Sequence, residues 1–144
     1  MRGASPANLT HVADAKEDTK RDRLDDIMLN VARSRVALGA VAFAAPGLTV
    51  KLIGMGGQAD PGRDYVTRMF AAREIALGAG YLLSRGEARR TWARLGFGVD
   101  ALDTVTGLKT RGRLPLWVTA GAVGVAGGAA GLGAAKVAKD LFRR

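Results

Sequence analysis

Arg73, Glu74, Asp100 and Asp103 are ionisable residues set inside runs of apolar and small residues, VTRMFAAREIALGAGYLL and WARLGFGVDALDTVTGL. Charged groups in the middle of an apolar helix pair to fix helix register, handle protons or ions, or line a polar pocket. Asp100 and Asp103 are three residues apart and share a helix face with Gly96 and Gly107. Arg73 shares its face with Ala76, Leu77 and Gly80, and Glu74 points about 100° away around the helix. The expected bond is a charge-assisted, bidentate one between Arg73 and Asp100 or Asp103. Asp100 is favoured because it lies nearer the middle of its segment. Glu74 then needs another partner, Arg94 or a proton, and the surplus carboxylate is either protonated or paired with Arg68 or Arg94. The candidate network is Arg68, Arg73, Glu74, Arg94, Asp100 and Asp103. No nucleophile or metal set accompanies these carboxylates, so hydrolysis by a carboxylate pair is not expected.

Other chemistries find little support. The chain has no cysteine, which excludes disulfides, thiolate metal sites and cysteine nucleophiles. Its one histidine, His11, lies in a polar leader, so a histidine triad or histidine-ligated metal is not expected. The run GMGGQADPG has the glycines of a phosphate loop but lacks the Lys-Ser/Thr that such a loop needs. Catalytic, metal and cofactor sites are all expected to be absent. The net charge of +9 would suit nucleic acid. The basic residues, however, flank apolar segments and bring no aromatic platform or recognition helix, so nucleic acid is not an expected partner.

The elements that must position these charges are apolar. Leu114 to Ala135 contains no charged residue, and about 20 such residues suffice for a helix to cross a bilayer. Ala120, Gly124, Gly127, Gly128, Gly131 and Ala135 recur at helical spacing and form a smooth stripe. Gly124, Gly127, Gly128 and Gly131 are therefore expected to pack closely on another helix. With three further apolar segments the expected spans number four, at about 33–53, 66–84, 91–108 and 114–136. Pro46 and Gly47 end or kink the first, because proline removes a backbone donor and clashes with the preceding turn. A central Arg or Asp costs about 2.5–3.5 kcal/mol on insertion, while each Leu, Ile or Phe returns about 0.3–0.6. The second and third spans are thus expected to insert as a hairpin with opposite charges turned inward.

Residues 1–30 read as a polar tail, disordered at first and helical from about Asp18, where Lys16, Lys20, Arg21 and Arg23 alternate with Glu17, Asp18, Asp22 and Asp25 and permit short-range pairs. No apolar run follows Arg2, so a cleavable secretory signal is not expected. Residues 31–144 form the expected membrane domain. Counting Lys and Arg beside the spans puts both termini and the SRGEARR connection on the cytoplasmic side.

The run RMFAAREIALGAGYLLSRGEARR, followed by WARLGFGVDALDTVTGL, resembles a group of small, uncharacterised four-span integral membrane proteins of high-GC bacteria. The pattern is a Pro-Gly end to the first span, Arg68, Arg73, Glu74, Leu77 and Gly78 on the second, and Asp100 and Asp103 on the third. The resemblance covers about Val36 to Ala135 and implies architecture but no activity. The expected fold is all-α, a four-helix transmembrane bundle. The expected function is non-catalytic: a structural or accessory component packing against itself or a larger membrane complex, with membrane lipid, another membrane protein or a homo-oligomer as partner. A small proton-linked transporter using the intramembrane carboxylates, and a soluble helical interaction module, are the alternatives.

Overall fold

The computed structural model of the chain describes residues 6–142, with side chains from residue 23 onward. The described residues form five α-helices and no strand: α1 Pro6–Ala44, α2 Pro46–Leu52, α3 Pro61–Leu83, α4 Gly86–Lys109 and α5 Leu116–Leu141. The polar leader becomes helical well before Asp18, because α1 runs unbroken through 39 residues. His11 and the leader's charges before Arg23 lie outside the described side chains, whereas Asp25 pairs with Lys136 and Lys139 of α5.

Proline and short caps set the boundaries. Ala45 leaves the helical region at φ −131° and ψ 65°, as expected of a residue preceding proline. Pro46 and Pro61 then open α2 and α3, where a missing backbone N–H costs nothing. The Asp60 carboxylate caps α3 by accepting from the Arg63 backbone N–H at 3.0 Å. Only Ser84 and Arg85, both extended, connect α3 to α4.

The helices pair as two antiparallel hairpins. On α1 and α3 the closest approach falls at glycine. A Cβ on Gly39 would stand 2.8 Å from the Ala71 carbonyl oxygen, and one on Gly78 would strike the Ala32 carbonyl oxygen. Backbone meets backbone at both places, so neither tolerates a side chain. On α4 and α5 the contacts are side chain to glycine: Val123 on Gly107, and Phe97 on Gly133. The hairpins meet near the α3–α4 connection. There Trp92 lies on Gly80, and Met28, Ala32, Tyr81 and Ala93 form a small core.

Two helical segments, Arg23–Ala44 and Leu116–Leu141, are long and apolar enough to cross a membrane. Four were expected, and α3 and α4 fall short. The reason is the charge they carry: Arg68, Arg73 and Glu74 on α3, and Arg94, Asp100 and Asp103 on α4.

Candidate functional site

α1 presents Met28, Ala32, Gly39 and Ala42 as a buried stripe at helical spacing, and Arg35 falls on that same stripe. Its guanidinium is therefore directed into the molecule, with a side chain only 13% exposed. There it donates to Glu74 of α3 at 2.5 Å and, through its other nitrogen, to both oxygens of Asp100 of α4 at 2.5 Å. One side chain thus ties three helices. Arg73 of α3 makes a bidentate bond to Asp103 of α4, at 2.7 and 3.1 Å, and reaches Glu74 at 3.4 Å. Its guanidinium also lies over the Phe70 ring, 4.7 Å from the centroid, a favourable cation–π placement. The result is one chain of contacts: Asp103, Arg73, Glu74, Arg35, Asp100.

The hairpin bond expected of Arg73 is present, but its partner is Asp103 in place of the favoured Asp100. Asp100 is taken by Arg35, which the sequence places at the start of the first apolar segment, where a flanking, headgroup-facing role is the natural expectation. Glu74 pairs with Arg35 and not with Arg94. Arg94 instead sits 3.5 Å from Glu87 on its own helix, and the Arg68 Nε donates to the Phe43 carbonyl at 3.3 Å. Both arginines therefore stand outside the central network. The signal that could have found Arg35 is its register, four residues before Gly39 and three after Ala32.

The glycine stripe of α5 also divides. Gly127 faces Thr104 of α4 at ordinary contact distance, whereas a Cβ on Gly124, Gly128 or Gly131 would meet nothing within 4 Å. A closer approach on α5 is at Gly133, where an added Cβ would stand 2.9 Å from the Phe97 side chain. The expectation of close packing at Gly124, Gly128 and Gly131 finds no partner among the described residues of this chain. α5 turns Val118, Thr119, Gly133, Lys136 and Asp140 inward instead.

A cavity of about 30 Å³ opens beside the network, bounded by Arg35, Asp100, Leu77, Tyr81, Trp92 and Phe97. Its size suits one water, and Arg35 and Asp100 provide polar partners for it. A second ionic cluster lies toward the opposite end of α5 from Leu116. Lys136 pairs with Asp25 at 3.0 Å and Asp140 at 3.1 Å, and Lys139 pairs with Asp25 at 3.1 Å. It joins α1 to α5.

Among the described residues no group of three His, Cys, Asp or Glu is arranged to hold a metal ion. The central carboxylates are engaged by guanidinium groups. The arrangement as it stands is a cross-link between helices. No protein-family model, curated protein or solved structure matches the chain.

Proposed function

We propose that this chain is a small integral membrane protein with four spans, provided by α1 with α2, α3, α4 and α5, acting as a non-catalytic structural or accessory component. The observation that carries the reading is an inverted distribution of side chains. Charged Arg35, Glu74 and Asp100 are turned inward, with side chains 8–13% exposed. Large apolar residues cover the outside of all four long helices, among them Leu38 at 69%, Leu83 at 85%, Leu102 at 69% and Val125 at 76% exposed. In water so much exposed apolar surface would aggregate. In hydrocarbon it is the favoured surface, and the charges belong inside.

The same contrast argues against a soluble module. The core helix of a soluble protein is mostly buried, whereas only 22% and 17% of the most apolar stretches of α1 and α5 are buried. The low mean hydropathy of α3 and α4 owes part to Glu74 and Asp100, which face inward, with side chains 12% and 8% exposed. What faces outward on them is Val66, Met69, Phe70, Leu95, Leu102 and Val105. Four antiparallel crossings put both chain ends on one side, and the positive-inside rule assigns that side to the cytoplasm.

The chain lacks cysteine, so single cysteines report topology directly. Ala88→Cys should react only from the cytoplasmic side, and Gln58→Cys and Arg111→Cys only from outside. Reaction of residues 88 and 111 from the same side would overturn the four-span arrangement. Release of the chain from membranes by alkaline carbonate would overturn membrane insertion altogether.

A second reading, a small proton-linked carrier, is favoured by one observation. The network holds three carboxylates against two guanidinium groups, so one negative charge is left for a proton to neutralise. Proton-coupled flux in proteoliposomes that is lost in Glu74→Gln would support the carrier. Its absence would leave the structural role.

A further inference from the structure

The central network is closed on one side and open on the other. Arg35, Glu74 and Asp100 are enclosed, but the side chains of Arg73 and Asp103 are 34% and 32% exposed. They lie between α3 and α4, which join tightly at Gly80 and Trp92 and leave Phe70, Val66 and Thr106 exposed farther along. At 1.5 Å per residue the pair sits about 15 Å along α3 from Arg63 and about 9 Å along α4 from Lys109. In a membrane that depth is hydrocarbon. Snorkelling does not resolve the exposure, because Arg73 is held bidentately by Asp103 and stacked on Phe70.

An ion pair at that depth faces either water or protein. Its pattern chooses the occupant. A positive and a negative group stand side by side on adjacent helices. A two-fold rotation about the membrane normal sets Arg73 of one copy opposite Asp103 of the other, and the reverse, with every residue kept at its own depth. Such isologous contacts are the commonest way for like chains to associate. We infer that the α3–α4 face carrying Phe70, Arg73, Asp103 and Thr106 is covered by the same face of a second copy of this chain. The inference rests on the membrane reading and names the surface and partner that the reading leaves open. Phe70 and Thr106 each lie one turn from the ion pair in the same direction, so they meet across the two-fold. The open glycines of α5 take no part.

The test uses the full chain in native membranes. One copy carries Phe70→Cys, a co-expressed copy carries Thr106→Cys, and Val125→Cys on α5 serves as the comparison face. Mild oxidation should join the 70 and 106 copies into a covalent dimer and leave Val125→Cys monomeric. Arg73→Leu combined with Asp103→Leu, which removes both charges together, should abolish association as read by photobleaching of labelled single particles. A dimer joined at residue 125 and not at 70 and 106 would overturn the inference. So would monomers in membranes that still resist carbonate, or full-rate reaction of Phe70→Cys with a membrane-impermeant maleimide, the mark of a water-filled cleft. In each of these cases the membrane reading stands. Extraction by carbonate would remove that reading and the inference with it.

Discussion

The Arg35 network and the Lys136 cluster are made from the same chemistry and differ in place. Arg35 spends both terminal guanidinium nitrogens on two carboxylates of two other helices. Lys136 also holds two carboxylates, but one is its own helical neighbour Asp140, and the other, Asp25, has a side chain 46% exposed and a second partner in Lys139. In the first cluster Asp100 bonds no second cation among the described residues, and its side chain has little access to solvent. In the second, Asp25 has a spare cation and an open side. The contrast teaches that the redundancy and surroundings of an ion pair decide its worth, more than its distance does.

The sharpest way to break this contrast is Arg35→Leu. It strands Asp100 and leaves Glu74 with Arg73 alone, and losing one partner of a buried pair costs about 3–5 kcal/mol. The measurement is thermal or denaturant stability in one fixed detergent. Asp100→Leu added to Arg35→Leu should restore part of the loss, because removing both sides of a buried pair is far milder than removing one. A small loss without rescue would place Arg35 at the headgroups.

Lys136→Leu should cost less, about 1–3 kcal/mol, the range for a buried polar group left unsatisfied. The group that loses its Lys136 partner is Asp140, whose side chain is only 6% accessible. Adding Asp140→Leu should recover most of it under the same assay. A loss equal to that of Arg35→Leu would erase the distinction between the two clusters.

A double-mutant cycle on Arg73→Leu and Asp103→Leu should give a coupling between about 0.6 and 1.7 kcal/mol, the average and the maximum measured for polar contacts between membrane helices. The same cycle on Arg73 and Asp100 should give a smaller value, since no bond joins them. A larger coupling to Asp100 would mean that the two arginines exchange partners in the membrane.

Lys139→Ala should have the smallest effect, about 0–1 kcal/mol, because Asp25 keeps Lys136 and the contact is partly solvated. Added salt should shrink even that difference. A salt-insensitive loss of several kcal/mol would show the end of the molecule to be as closed as its middle.

Much of the architecture was legible from local pattern. The break at Pro46 was legible, because a ring that fixes φ and removes a donor acts on its own residue and the one before it, whereas α3 opens at Pro61, five residues before the span expected from 66. The uncharged run after Leu114 announces α5, and the charges of α3 and α4 announce a hairpin that must turn them inward. The start of α1 was less legible. The leader's mixed charges suit an exposed helix as readily as a tail, and the helix extends back to Pro6. The glycine stripe of α5 was legible as a smooth surface, yet spacing alone cannot say which side of a helix its own chain covers. Gly39 and Gly78, less conspicuous in the sequence, are the glycines that let two backbones touch.

The sequence by itself determined that the chain is helical, where proline and apolar length divide it, and that unpaired charges sit in apolar company. These are properties of single residues and of their neighbours within a turn or two. Tertiary structure alone decided who pairs with whom. Arg35 is 39 residues from Glu74 and 65 from Asp100, and nothing local connects them. The connection depends on the relative rotation of α1, α3 and α4, set by backbone contact at Gly39 and Gly78 and by Trp92 on Gly80. That rotation is a property of packed surfaces. A shift of one residue in register would carry Arg35 about 100° around its helix and away from both carboxylates.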